Sequence, residues 1–214
     1  MGLSAAQLAA SLDALAGIEP GFAAGLARYG YPEPRIRERG HVTLLRTIIG
    51  QQVSVAAAAA IWGRLETAIG PALDPIVLAA APDELLRTAG LSRQKSSYVK
   101  SLAELVASGE LDLAALPRDD DEAITQLIRI KGVGRWSAEI YLLFAEGRGD
   151  IWPAGDLAVQ EEVGRLLGHD QRPAETVVRA LAEPWRPHRG AAAIFAWHHY
   201  GRRLAAGKDE KTPI

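Results

Sequence analysis

LIRIKGVGRWSAEIYLLFAEGRGDIWPAGD, residues 127–156, decides the fold. Leu127, Ile128 and Ile130 close one apolar stripe at helical spacing, and Ile140, Leu143 and Phe144 continue another. The intervening Lys131-Gly132-Val133-Gly134 must therefore reverse the chain. Glycine serves such a turn in two ways. It accepts positive φ, and without a Cβ it lets a phosphate approach the backbone amides at the start of the second helix. The same glycines also suit an ordinary helix-turn-helix corner in a core, and by themselves they do not choose between the two. Past the second helix, Asp156 follows Pro153 and Gly155 and precedes another helical run, the position of an N-cap. A carboxylate there is stabilised by the helix terminus and held in place, so capping and chemistry are compatible roles.

Outward from this hairpin the pattern is helical throughout. Leu8, Leu12 and Leu15 mark one side of a helix ending near Gly17, and a short helical piece and a proline-rich turn follow it. Further helical runs are expected over about 41–69, 82–89, 92–108, 121–130, 135–146, 156–167, 173–182 and 185–206, with Gly, Pro and Ser at their ends. LLRTAGLSRQKSSYV from Leu85 echoes LIRIKGVGRWSAEIY from Leu127 as helix, glycine turn and helix, but only the later copy has both glycines. Alanine and leucine abound, aromatic residues make up 6%, and 48% of residues are apolar. That composition supports an all-α fold with a core of real size. A charged tail, 208–214, is expected to fray.

The net charge of -2 argues mildly against a polyanionic partner, but the charges are not evenly spread. Arg87, Arg93, Lys95 and Lys100 lie in a stretch without acids, as do Arg186, Arg189, Arg202 and Arg203, whereas acids gather at Asp119 to Glu122 and at Glu161 and Glu162. Each basic group is either part of a phosphate-binding face or a solvated helix face. The chain has no cysteine, which excludes disulfides, thiol nucleophiles and iron-sulfur clusters by counting. The five histidines show no metal-binding spacing, so no catalytic metal is expected, and no Walker loop or dinucleotide fingerprint implies a nucleotide cofactor. No apolar run is long enough to cross a bilayer, and the N-terminus lacks a secretory pattern. A cytoplasmic location is expected, nucleoid-associated if the source is bacterial.

The hairpin followed by an aspartate resembles the helix-hairpin-helix superfamily of base-excision DNA glycosylases. IIGQQVSVAAAAAIWGRL from Ile48, GLSRQKSSYVKSLAEL from Gly90 and PWRPHRGAAAIFAWHHYG from Pro184 extend the resemblance to the type II 3-methyladenine DNA glycosylases. Together the four segments cover most of the chain from about His41 to Gly201, in the family's order. The resemblance implies a single glycosylase domain over 1–207, made of two helical subdomains with a cleft between them. One is a helical barrel of about 41–150 carrying the hairpin 124–146, and the other combines about 1–40 with 151–207.

The same resemblance assigns roles to residues. Asp156 matches the catalytic aspartate, which would stabilise positive charge on the sugar as a damaged base departs. Alkylated purines already carry positive charge, so no second acid is needed to protonate the leaving group. Trp136, Trp197 and Trp152 would line the base pocket, where an indole face attracts a cationic base, although tryptophan is more often simply packed in a core. Gly132, Gly134, Arg135 and Lys131 belong to the phosphate-binding hairpin, with a monovalent cation on its carbonyls as the family often has. Gln51 and Gln52 stand where the family places the wedge that fills the gap left by an extruded base. The residue-level alternative is a polar kink between two helices. Trp136 occupies the position of the lysine that forms a Schiff base in strand-cleaving relatives, which implies a monofunctional enzyme. The expected partner is double-stranded DNA containing damaged bases, bound by a monomer. Hypoxanthine, ethenoadenine or uracil as substrate, or a noncatalytic hairpin module, remain alternatives.

Overall fold

The computed structural model describes residues 2–209, so most of the tail expected at 208–214 lies outside the described residues. Among the described residues the fold is all-helical, with twelve α-helices and no strand. The chain sorts into two compact units, Arg37–Tyr141 and Met1–Ile36 with Leu142–Ile214.

The unit Arg37–Tyr141 holds α3 (His41–Gly50), α4 (Val55–Ile69), α5 (Pro75–Ala80), α6 (Asp83–Thr88), α7 (Arg93–Ala107), α8 (Asp120–Leu127) and α9 (Arg135–Tyr141). Helix α7 is its hub and packs on α3, α5 and α6. Val99, Leu102 and Ala103 of α7 are buried, as are Leu44, Leu45, Ile48 and Ile49 of α3. The continuous helix expected over 41–69 is instead broken after Gly50, because Ser54 accepts the N–H of Ala57 and starts α4 afresh. Helix α5 is absent from the sequence expectation. Its six residues are too few to show a period, although the Asp74-Pro75 start, with Asp74 Oδ1 accepting from Ile76 N at 2.7 Å, is a usable signal.

The second unit comprises α1 (Ala5–Ile18), α2 (Pro20–Tyr29), a π-helical turn at Leu142–Glu146, α10 (Leu157–Leu166), α11 (Glu175–Leu181) and α12 (Arg189–Asp209). Leu8, Leu12 and Leu15 are buried as their spacing requires. Phe22 sits edge-on to Trp185 at 5.1 Å and against Phe195 at 5.5 Å. The π turn belongs here because Phe144 packs on Trp197, with ring centroids 5.7 Å apart, and Leu143 lies close over the backbone of Gly190. Residues 185–188 do not join the last helix. Trp185 ends a short 3-10 turn, and α12 begins at Arg189.

One basic cluster is internally neutralised. Arg186 and Arg189 pair with Asp150 at 2.6 and 2.8 Å and with Glu183 at 3.0 and 3.2 Å. The acids that compensate them are distant in sequence or a turn away, so the acid-free stretch read from the chain is not an unpaired basic face. A second ion-pair network joins α10 to α12. Glu162, with no exposed side-chain surface, accepts from His199 Nδ1 at 2.6 Å and from Arg203 at 2.6–2.7 Å. Burial alone would push its carboxyl up, but these hydrogen bonds and charges outweigh burial and hold it below the ordinary glutamate value.

Glu162→Gln is expected to lower stability by about 3 kcal/mol, the lower end for breaking a buried ion pair because Arg203 keeps Glu161. Urea unfolding checks this. Because the Glu162 carboxyl is depressed in the folded state, the loss should be fully present at neutral pH and shrink as the pH falls through the folded-state value.

Candidate functional site

The hairpin between α8 and α9 is built on its buried apolar residues. Ile130 and Val133 are sunk into the core, and Val133 N donates to Ile130 O at 3.0 Å to close the turn. Gly132 adopts φ +79, and a Cβ there would lie 2.1 Å from the Tyr98 ring of α7, so no other residue fits without rebuilding the turn. Lys131 N donates to Ser101 Oγ of α7 at 3.1 Å. Gly134 differs from Gly132. Its φ is ordinary, and a Cβ would meet nothing within 4 Å. Its carbonyl accepts from Ala138 N at 3.0 Å, which makes it the residue from which α9 starts. The space that a side chain at Gly134 would fill is therefore open, beside a helix start whose first-turn amides have no partner within the helix.

The Arg135 side chain is paired with acids of the chain. Its guanidinium donates to Asp121 at 2.7 Å and to buried Glu139 at 3.0 Å. Burial would lower its pKa, but these two acids raise it above the ordinary value. Part of the Arg135 guanidinium is thus committed within the chain, although the side chain stays about half exposed. The Lys131 side chain is exposed.

A cavity of about 870 Å³ opens beside the hairpin, lined by Thr43, Arg46, Gln51, Gln52, Trp136 and Ile140 among others. Trp136 is 47% exposed and offers its ring to this cavity. Gln51 Nε2 donates to Gly132 O at 2.9 Å, tying the turn after α3 to the hairpin. Gln52 is exposed and sits at φ +54, a left-handed conformation that costs a non-glycine residue roughly 1–2 kcal/mol. The structure thus brings Gln51, Gln52, Gly132 and Trp136 together in one unit.

Asp156 belongs to the other unit, at the start of α10. Its Oδ1 accepts from Ala158 N at 2.9 Å and Val159 N at 3.1 Å, the N-cap geometry. The preceding loop is braced. Trp152, Pro153 and Ala154 are buried, Asp156 N donates to Pro153 O at 2.9 Å, and Gln160 Nε2 donates to Ala154 O at 2.8 Å. The carboxylate is half-buried, between exposed Gly155 and Leu157. The residue is thus held at the helix start without being sealed in the core.

The tryptophans divide. Trp197 is half-buried on α12. Trp152 is 3% exposed, edge-on to Trp185 at 5.7 Å, and donates its indole N–H to Val178 O at 3.2 Å. With its ring packed and its polar atom bonded, Trp152 is a core residue and offers no open face for stacking. Two residues of the site are missing from the sequence expectation. Arg46 lies over the Trp62 ring at 3.8 Å and lines the cavity, and Lys95 reaches the end of α3. The sequence carries no signal for either, since Arg46 depends on how two consecutive helices fold against each other and Lys95 on a contact between distant segments.

Residues 45–187 match the family model of the HhH-GPD superfamily base excision DNA repair protein. The chain is 32% identical over 158 residues to DNA-3-methyladenine glycosylase 1 of Schizosaccharomyces pombe, covering 72% of this chain and 69% of that one. The crystal structure of a DNA-3-methyladenine glycosidase from Bacillus halodurans superposes with a TM-score of 0.84 at 29% identity, covering 91% of each chain. The S. pombe 3-methyladenine DNA glycosylase in complex with abasic DNA superposes with a TM-score of 0.73 at 28% identity, covering 87% of this chain and 94% of that one. The chain spans 64% of an Escherichia coli relative and 56% of a Bacillus subtilis one.

The two hairpin glycines should separate on substitution. Gly132→Ala is expected to lower the unfolding free energy by at least about 2 kcal/mol, combining φ strain with the Tyr98 clash. Gly134→Ala should leave it within about 0.5 kcal/mol, the range of surface changes. Chemical denaturation of the two proteins reads the difference directly.

Proposed function

This chain belongs to the HhH-GPD superfamily of base excision DNA repair proteins, and from that premise we propose that it is a DNA glycosylase releasing alkylated purines of the 3-methyladenine or 7-methylguanine type from duplex DNA. The observation that carries the reading is Asp156. Two backbone amides fix its carboxylate, the loop before it is braced from behind, and the residue is only half-buried. A carboxylate so held can stabilise the positive charge that builds on deoxyribose as the glycosidic bond breaks, without reorganising at that moment. It can also orient the water that completes hydrolysis.

Alkylated purines suit this chemistry because the lesion already carries the positive charge that makes it a good leaving group. Trp136, with its exposed indole, supplies a surface for such a cation, worth roughly 0.5–2 kcal/mol. Trp197 is the second candidate for this role. The hairpin would hold the strand through the amides at the start of α9, with Gly134 leaving room for a phosphate. Gly132 O already accepts from Gln51. A carbonyl oxygen has a second lone pair, so a monovalent cation on the hairpin carbonyls is compatible with that bond. Gln52 would enter the gap left by the extruded nucleotide.

The absence of strand cleavage is part of the same proposal. Trp136 has no amine to attack the sugar, and Lys131 sits within the turn, five residues before Trp136, with its backbone pinned on Ser101. The product would be an intact abasic site. Among the described residues, no helix is long and apolar enough to cross a membrane.

Asp156→Asn should reduce release of 7-methylguanine from methylated duplex DNA by at least about 100-fold while leaving DNA affinity within a few fold. Mass analysis of the freed bases, with binding measured in parallel, tests both halves. Equal release by the two proteins would remove Asp156 from the chemistry, and binding without release in both would favour a noncatalytic module. Borohydride should trap no covalent protein-DNA adduct. Gly134→Ala should weaken binding to abasic duplex about tenfold, measurable by fluorescence anisotropy.

A further inference from the structure

We infer that Lys95 is the positioning residue for nucleotide extrusion, holding the Gln51-Gln52 turn in the shape that presents Gln52 to the DNA. The inference rests on the glycosylase reading above. The turn needs support from elsewhere. Helix α3 ends at Gly50, Gln51 is extended, Gln52 is left-handed, and Gln51 N reaches Ile48 O only at 3.3 Å. Lys95 supplies what the local backbone lacks. Its Nζ donates to Ile49 O at 2.7 Å and Gln51 O at 2.6 Å, gripping the carbonyls on either side of Gly50. An ammonium at this end of α3 also meets the negative pole of the helix dipole.

The lysine itself is anchored. It lies in the first turn of α7, where its N–H donates to the Ser92 cap at 3.2 Å, and it is half-buried, which lowers its pKa by desolvation. One helical step further on the same helix is Tyr98, whose ring backs Gly132 of the hairpin. Gln51 completes the linkage through its amide on Gly132 O. A small cavity of about 350 Å³ beside them is lined by Gln51, Gln52, Lys95, Tyr98 and Gly132. Lys95 and Tyr98 on α7 therefore support both loops, the one that would grip phosphate and the one that would fill the gap. With the loops joined, binding energy gained at the hairpin can act on the extrusion step instead of being lost in a loose turn.

The test separates extrusion from chemistry. Single-turnover release of 7-methylguanine is measured from a fully paired duplex and from a duplex carrying the same lesion in a single-nucleotide bulge, where unpairing is already paid. Lys95→Met, which keeps the methylene stem and removes the donors, should slow release from the paired duplex about tenfold or more and leave the bulge substrate within about twofold. Lys95→Arg should recover most of the loss. Gln52→Ala should show the same paired-selective defect, and the double variant should be no worse than the more impaired single one. Equal slowing on both substrates, or no slowing on either, would overturn the assignment. So would strict additivity with Gln52→Ala, which guards against misreading a Lys95→Met protein that is merely less stable. Wild-type protein that releases base from neither substrate would instead bring down the glycosylase reading and this inference with it.

Discussion

The unit that carries the hairpin depends on one close approach, the Tyr98 ring against the backbone of Gly132. Only a residue without a Cβ, in a left-handed conformation, lets the turn lie this close to α7. Once it does, Ser101 can accept from Lys131 N and Gln51 can donate to Gly132 O, so the hairpin gains contacts with α7 and with the turn after α3. Gly134, two residues later, is under no such demand from the protein. A glycine that the fold does not require, at the mouth of a helix, is where the requirement of a ligand is most easily seen. The two glycines of one short motif thus stand under different demands from the fold, which requires the first and places no steric demand on the second.

Asp156 shows the same economy in the other unit. Its N-cap bonds stabilise α10 and fix the carboxylate in one rotamer, so a single residue serves the helix and the proposed chemistry. The brace behind it is apolar and polar together: buried Trp152 and Pro153, and the Gln160 amide on Ala154 O. Trp152 contributes to catalysis, on this view, by holding the loop and not by touching a base. Its indole N–H is committed to Val178, and that commitment locks the loop start against α11.

The sequence made legible those features whose cause is local. The α1 stripe, the hairpin glycines and the Asp156 cap all depend on residues within a few positions of each other, and each stands where its spacing places it. The break at Gly50 is half-legible, because the Ser54 cap is local but nothing in the neighbouring residues signals the left-handed Gln52. Contacts across the chain were hidden. Lys95 reads as one more basic residue in an acid-free stretch until α3 is seen ending beneath its ammonium, 44 residues away from Gln51. Trp152 and Trp136 look alike in the sequence, and only packing shows one sealed and the other open.

The arrangement of charge gives the proposed mode of binding its physical logic. A surface that neutralises many phosphates with Lys and Arg gains affinity from counterion release. Here Arg135, Arg186, Arg189 and Arg203 are engaged by the chain's own acids, and Lys95 by backbone carbonyls. Those side chains therefore stiffen the fold, and part of each one's hydrogen-bonding capacity is already committed inside the chain. Backbone amides at a helix start carry no such prior commitment within the helix, and they are placed by the fold instead of by a flexible side chain. A chain of net charge -2 that binds a polyanion in this way would rely on few, well-placed contacts, and its rate of extrusion would depend on how firmly those contacts are joined to the residue that fills the gap.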